Sequence, residues 1–318
     1  MSADPGTSAA DQGGNPADAG ANPAALRDLA VAVAREAGRL LASRAGRTGR
    51  VEVAATKSSP TDVVTELDRQ SEELIRSRIL AVRPGDAILG EEGGQTGDAD
   101  GAPVRWVIDP LDGTVNYLYG LPDWAVSIAA EAGGHIVAGA VYVPLRGELF
   151  SACTGGGAWL ESGRDGYGTA VPAGPPAGPS ASQPAGPPAG PPARLRCPPG
   201  VPLDRALIGT GFGYVAARRQ VQGEVVAALL PRLRDIRRAG VASVDLCAVA
   251  AGRLDGYYER GLNYWDWAAG ALVAAEAGAV VGGLDGAPVS SSMTVAAGPE
   301  LFGPLAAALS ALNPERDA

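Results

Sequence analysis

The run 104-VRWVIDPLDGTVNYLYG-120 decides how this chain is read. Val104 to Ile108 is a short apolar run of the kind that forms a buried strand, and it delivers Asp109 at its end. Pro110 and Gly113 then permit a tight turn before Thr114. Such a turn can converge its carboxylates. Asp109 and Asp112 offer oxygen ligands for hard cations, while the Leu111 carbonyl and the amides of Gly113 and Thr114 can meet a metal and a phosphate. A helix starting at this point would add its own attraction for an anion. Taken alone, the stretch also reads as Asp109 capping a turn and Asp112 lying in a surface loop.

Two further acidic elements bear on that choice. In 90-GEEGG-94, two glutamates follow the apolar run Ala87–Leu89, and carboxylates gathered there repel unless a cation or solvent compensates them. Glu91 is the metal-facing candidate; Glu92 reads equally as a residue behind the ligands or as a solvated charge. In 264-YWDWAAG-270, Asp266 stands at the start of an apolar helical run, either as a helix cap or as a ligand. The three elements together point to a multi-metal phosphate site.

Composition agrees with that chemistry. Of 318 residues, 46% are apolar, enough for a large packed core, and 26 Lys and Arg against 35 Asp and Glu give a net charge of -9. A negative chain lacks the general attraction for a nucleic-acid backbone, so no direct nucleic-acid binding is expected, and divalent cations fit better. Cys153, Cys197 and Cys247 have no CxxC spacing and His135 is the lone histidine, which excludes a disulfide scaffold and a His-rich zinc site. His135 follows Gly133-Gly134 and reads as a turn residue.

The 45 glycines and 26 prolines are unevenly spread. Residues 1–23 read as a disordered leader without a secretory signal, and 162–199 as a disordered Pro/Gly/Ala-rich insertion in which PAGPPAGP occurs twice. Apolar stretches are interrupted before membrane-spanning length, so no membrane partner and a cytoplasmic location are expected. Between these segments, 24–161 forms an N-terminal α+β half and 200–318 a layered C-terminal α/β half. Helical spacing predicts helices over 24–45, 65–80, 220–233, 243–251 and 266–277. Strands are expected at 87–89, 104–108, 125–130, 136–143, 148–151, 206–209, 254–259 and 293–296.

GEEGG, the DPLDGT of 109–114 and YWDWAAG, in that order, resemble the blocks of the inositol monophosphatases, a magnesium-dependent, lithium-sensitive phosphatase family, and are most similar to its bacterial branch. The likeness extends through 57-KSSPTDVVTELD-68, 209-GTGFGY-214 and 237-RRAGVASVDLCAVAAGRLDGYYE-259. It implies a layered αβαβα sandwich of the α/β class and a homodimer. It also implies two to three Mg2+ ions per site. Glu91, Asp109 and the Leu111 carbonyl match the ligands of a first metal, and Asp109, Asp112 and Asp266 those of a second, with Glu91 holding a third through water. Asp68 and Thr114 match the pair that orients and helps deprotonate the attacking water. Gly113, Thr114, Gly240, Val241, Ala242, Glu259 and Asp266 match substrate-binding positions. Val241 stands where the family often has Ser or Thr, which leaves substrate identity less defined than phosphatase chemistry.

The implied reaction is hydrolysis of inositol 1-phosphate to myo-inositol and phosphate. Histidinol phosphate, fructose 1,6-bisphosphate and 3'-phosphoadenosine 5'-phosphate are alternative substrates, and a regulatory binding protein is the nonenzymatic alternative. Lys57 reads as an active-site-loop cation or a solvent-facing charge. Asp245 lies near the substrate region, caps a helix or joins a local salt bridge, and Arg237-Arg238 attracts substrate, ends a helix or forms an oligomer contact. Trp106 and Trp159 are expected to pack the sheet. Trp124, Trp265 and Trp267 either frame the mouth or fill the core.

Overall fold

The computed structural model describes residues 21–45, 55–56, 63–64, 66–98, 101–163 and 190–316. The leader as far as residue 20, Lys57 and residues 164–189 of the insertion lie outside the described residues.

Helix α1 (Pro23–Arg44) is capped by Asn22, whose side chain accepts the amide of Ala24 at 3.0 Å, and Pro23 opens its first turn. A short β1–β2 pair (Ala55–Thr56, Val63–Val64) leads to α2 (Glu66–Val82). Strands β3 (Ala87–Gly90), β4 (Gly94–Thr96) and β5 (Arg105–Asp112) follow, then the single-turn helix α3 (Thr114–Leu118). An antiparallel meander of β6 (Ala125–Ala132), β7 (His135–Val143), β8 (Glu148–Cys153) and β9 (Gly157–Ser162) completes the first part. With β10 (Ala193–Arg194) these strands form an eight-stranded sheet ordered β10-β9-β8-β7-β6-β5-β3-β4.

The remaining chain runs through β11 (Leu207–Thr210), α4 (Ala216–Leu229), β12 (Asp235–Arg237), α5 (Ala242–Ala250), β13 (Gly256–Glu259), α6 (Tyr264–Glu276), β14 (Val280–Gly282), β15 (Thr294–Ala297) and α7 (Pro299–Ser310). Its strands form a five-stranded sheet ordered β12-β11-β13-β15-β14.

Side-chain alternation along the strands builds the layers. On β6, Val126, Ile128 and Ala130 pack toward α1 and α2, while Ala125 and Ala129 pack toward α5 and α6. On β13, Tyr257 joins the same α5–α6 core and Tyr258 the core under α4 and α7. The order is therefore helices, large sheet, helices, small sheet, helices: the αβαβα sandwich expected above. The central core draws on residues from both sides of the insertion, Val141 and Phe150 with Leu246 and Val273. Helix α6 lies so close to β7 that a Cβ at Gly139 would stand 3.1 Å from the Ala269 backbone.

Several sequence expectations are corrected. The strand predicted to end at Ile108 continues to Asp112, with its register against β6 shifting between Asp109 and Asp112. Pro110, which has no amide to give the ladder, is accommodated in that irregularity, so the DPLD segment is bulged strand, and the sharp turn falls on Gly113. The helix expected at 220–233 begins at Ala216 and stops at Leu229, and a 3-10 turn at Leu230–Arg232 takes over around Pro231. Strands β9, β12 and β14 and helix α7 were not anticipated, although Pro299 at a helix start and Leu301, Leu305 and Leu309 at i, i+4 spacing are a helix signal. His135 opens β7 after two glycines of positive φ, at the hairpin turn expected for it.

Candidate active site

Five elements converge on a cleft of about 460 Å³. Glu91 follows β3, Asp109, Leu111 and Asp112 end β5, Gly113 and Thr114 start α3, Glu259 ends β13, and Asp266 lies in the first turn of α6; all of them line it. Gly240 and Ala242, at the entry to α5, complete the expected set.

Asp109 is 2% exposed, and its Oδ1 accepts the Leu111 amide at 3.0 Å. Burial pushes its carboxyl well above the ordinary range, and the charges of Glu91, Asp112 and Asp266 push it further. Asp266 is raised in the same way, by burial first and then by Glu91 and Asp112. It also answers the question left open for it: its Oδ2 accepts the Asn263 amide at 2.7 Å in a capping box, so it helps close the helix start and faces the cleft. Asp112 rises to about 6 by burial, held back by hydrogen bonds from Ser243 and from the Ala242 amide. Glu259 rises to about 7, again by burial, against the stabilising Tyr257 hydroxyl at 2.6 Å and the Arg238 charge.

Asp68 does not line the cleft. It is 1% exposed on α2 and reaches the site through Thr114, whose hydroxyl stands 3.1 Å from Asp68 Oδ1 and 3.1 Å from the Leu111 carbonyl. One hydroxyl proton serves these two acceptors. Gly113 has φ of 91°, and a Cβ there would stand 2.8 Å from Val241 Cγ2, so backbone and space both favour glycine. Val241 is buried against it and is absent from the cleft lining, unlike its neighbours Gly240 and Ala242.

Sequence reasoning passed over several residues that shape the site. Glu72 of α2 is buried, accepts the amides of Glu92 and Gly93 at 2.8 and 2.7 Å, and pairs with Arg76 at 2.8 Å, which fixes the loop that carries Glu91. Ser243 donates to Asp112 through its amide and its hydroxyl. Asn116 donates to the carbonyls of Asp123 and Ala239, tying α3 to the loop before α5. No local pattern flags such contacts, because the partners are distant in sequence. Arg218 and Arg238 line the cleft, the latter over the Phe212 ring at 5.9 Å, whereas Arg237 pairs with Asp235. Asp245 is buried beside the substrate region, raised to about 8 by burial and by Glu259. Trp265 lines the cleft, Trp106 and Trp124 are core, and Trp267 packs on Tyr264.

The donor set suits a hard divalent cation. Five carboxylates and a carbonyl line one cleft, and burial together with the charges of Glu91 and Asp112 raises the proton affinities of Asp109 and Asp266, a cost that a bound cation would offset. Among the described residues, no group of three or more Asp, Glu, His or Cys side chains is drawn together closely enough to hold an ion as it stands.

Residues 22–313 match the model of the inositol monophosphatase family. The chain belongs to that family. It is 47% identical over 261 residues to inositol-1-monophosphatase SuhB of Mycobacterium tuberculosis, covering 81% of each chain. The solved structure of M. tuberculosis SuhB superposes with a TM-score of 0.70 at 41% identity, over 92% of this chain and 99% of that one. The Nus factor SuhB of Vibrio cholerae is 35% identical over 255 residues, covering 80% of this chain and 83% of that protein. Family membership makes this chain a phosphate-monoester hydrolase of the bacterial inositol-monophosphatase type. Among the described residues, no helix is long and apolar enough to cross a membrane.

Proposed function

We propose that the chain hydrolyses inositol 1-phosphate to myo-inositol and phosphate, with Mg2+ as its cofactor. The observation that carries the reading is the Asp68–Thr114 hydrogen bond at the edge of a cleft lined by Glu91, Asp109, Asp112 and Asp266. Glu91, Asp109 and the Leu111 carbonyl would hold one ion and Asp109, Asp112 and Asp266 another, with Glu91 reaching a third through water. Bound there, Mg2+ supplies Lewis acidity and neutralises phosphoryl charge.

The protein's own groups do the rest. With its proton given to Asp68, the Thr114 oxygen keeps lone pairs to accept from a water, and Asp68 is the acceptor through which that water's proton can leave. The amides of Gly113 and Thr114 face phosphoryl oxygens at the start of α3. Glu259, with Asp266 and the backbone of Gly240, Val241 and Ala242, accepts and donates to ring hydroxyls. A homodimer, a cytoplasmic location, no direct nucleic-acid binding and an organisation into 24–161 and 200–318 around the insertion belong to the same proposal, supported by the family resemblance and the sequence.

Phosphate release from inositol 1-phosphate, histidinol phosphate, fructose 1,6-bisphosphate and 3'-phosphoadenosine 5'-phosphate tests it. Inositol 1-phosphate is expected to give the highest kcat/KM, and Asp109→Asn to abolish turnover. A higher value for histidinol phosphate overturns the substrate, and normal turnover by Asp109→Asn at saturating magnesium overturns the site.

A further inference from the structure

Asp112 reaches from the end of β5 to the first turn of α5, where one oxygen meets two donors of a single residue. Its Oδ2 accepts the Ser243 amide at 2.9 Å and the Ser243 hydroxyl at 2.6 Å. Both residues are buried, so solvent is poorly placed to replace either donor. A carboxylate oxygen has two lone-pair directions, and both on Oδ2 are committed. A cation approaching Asp112 therefore finds Oδ2 committed to Ser243, while the Ala242 amide adds a further donor to the same carboxylate. Of the two Ser243 donors, the amide takes one direction on Oδ2 and the hydroxyl the other.

The two common hard cations differ on this point. Mg2+ demands near-octahedral geometry at about 2.0–2.1 Å, whereas Ca2+ takes both oxygens of a carboxylate at about 2.3–2.6 Å with loose angular demands. A carboxylate restricted to one oxygen suits the smaller ion. We infer that the Ser243 hydroxyl is a positioning group for metal selectivity: it holds Asp112 as a one-oxygen donor and biases the cleft toward Mg2+ over Ca2+. The inference rests on the reading of Asp112 as a cation ligand. Ser243 is buried and does not line the cleft, so it acts through Asp112.

The test is calorimetric titration of Mg2+ and of Ca2+ into the full chain without substrate, for the wild type, Ser243→Ala, Ser243→Thr and Asp112→Asn. Ser243→Ala is expected to weaken Mg2+ binding about 10–100-fold, as loss of a group orienting a metal ligand does, and Ca2+ binding by less than about 3-fold. The Mg2+/Ca2+ affinity ratio then falls about 10-fold or more, and Ser243→Thr, which keeps the hydroxyl, retains it. A ratio unchanged in Ser243→Ala, while Asp112→Asn loses Mg2+ binding, overturns the inference and leaves the site reading intact. Wild-type Mg2+ affinity in Asp112→Asn overturns Asp112 as a ligand and the inference with it.

Discussion

Replacing Glu72 by alanine should damage magnesium binding from behind the ligands. Its buried carboxylate accepts two loop amides, from Glu92 and Gly93, and pairs with the Arg76 guanidinium, all between 2.7 and 2.8 Å. The fit is close: a Cβ at Gly90 would stand 2.6 Å from the Glu72 carboxylate. Removing one partner of such a buried pair costs about 3–5 kcal/mol, because the other groups are left without their counter-charge. Arg76 keeps bonds to Thr96 and the Gly94 carbonyl at 2.7 Å each, which places the loss toward the lower end, about 3 kcal/mol. At about 2–4 °C per kcal/mol for a domain of this size, the melting temperature should drop by roughly 6–12 °C. The loop released is the one that carries Glu91, so the magnesium concentration for half-maximal phosphate release should rise about 10-fold or more. Differential scanning calorimetry measures the first effect and a magnesium titration of phosphate release the second. A variant that melts within about 2 °C of the wild type, or melts lower with an unchanged magnesium requirement, would refute the claim that Glu72 holds Glu91 in place.

Three other perturbations have defined outcomes. A Cβ at Gly211 would overlap the Glu259 carboxylate, so Gly211→Ala should displace it from Tyr257 and raise KM for inositol 1-phosphate about 10–100-fold, while p-nitrophenyl phosphate, which has no ring hydroxyls, is turned over as before; equal losses on both would count against Glu259 as a polyol contact. Asp245 is protonated in both states below about pH 4, but with its carboxyl moved from 3.8 to about 8 the unfolded chain releases the proton first as pH rises. The fold therefore loses on the order of 5 kcal/mol across that interval, and Asp245→Asn should match the wild type near pH 4 and melt higher at pH 8; parallel melting curves at all pH values would exclude this. Asp68→Asn preserves shape at the Thr114 contact but is a poorer proton acceptor, so kcat should fall at least about 100-fold with little change in melting temperature, and retained kcat would remove Asp68 from the proton path.

Much of this protein was legible in sequence because the deciding signals are local. Apolar periodicity marks α1, α2, α5 and α6 and most strands of the large sheet, and the three acidic blocks contain Glu91, Asp109, Asp112 and Asp266 of the cleft. Short edge elements such as β12 and β14 carry too few residues for a period to show. Proline and glycine mark turns, so the DPLD segment reads as a turn in sequence, but pairing with β6 holds it as bulged strand.

Sequence by itself determined which carboxylates stand in the three acidic blocks, since residue type and order within each block are covalent facts. Tertiary structure decided how they act together. Asp266 became both cap and cleft residue, Val241 turned into the core against Gly113, and Asp68 reached the site only through Thr114. Ser243 meets Asp112 across 131 residues, and Glu72 meets the Glu91 loop across 20. Burial, the largest cause of the raised proton affinities in the cleft, depends on which layers close over a group. No property of a residue's neighbours in the chain encodes it.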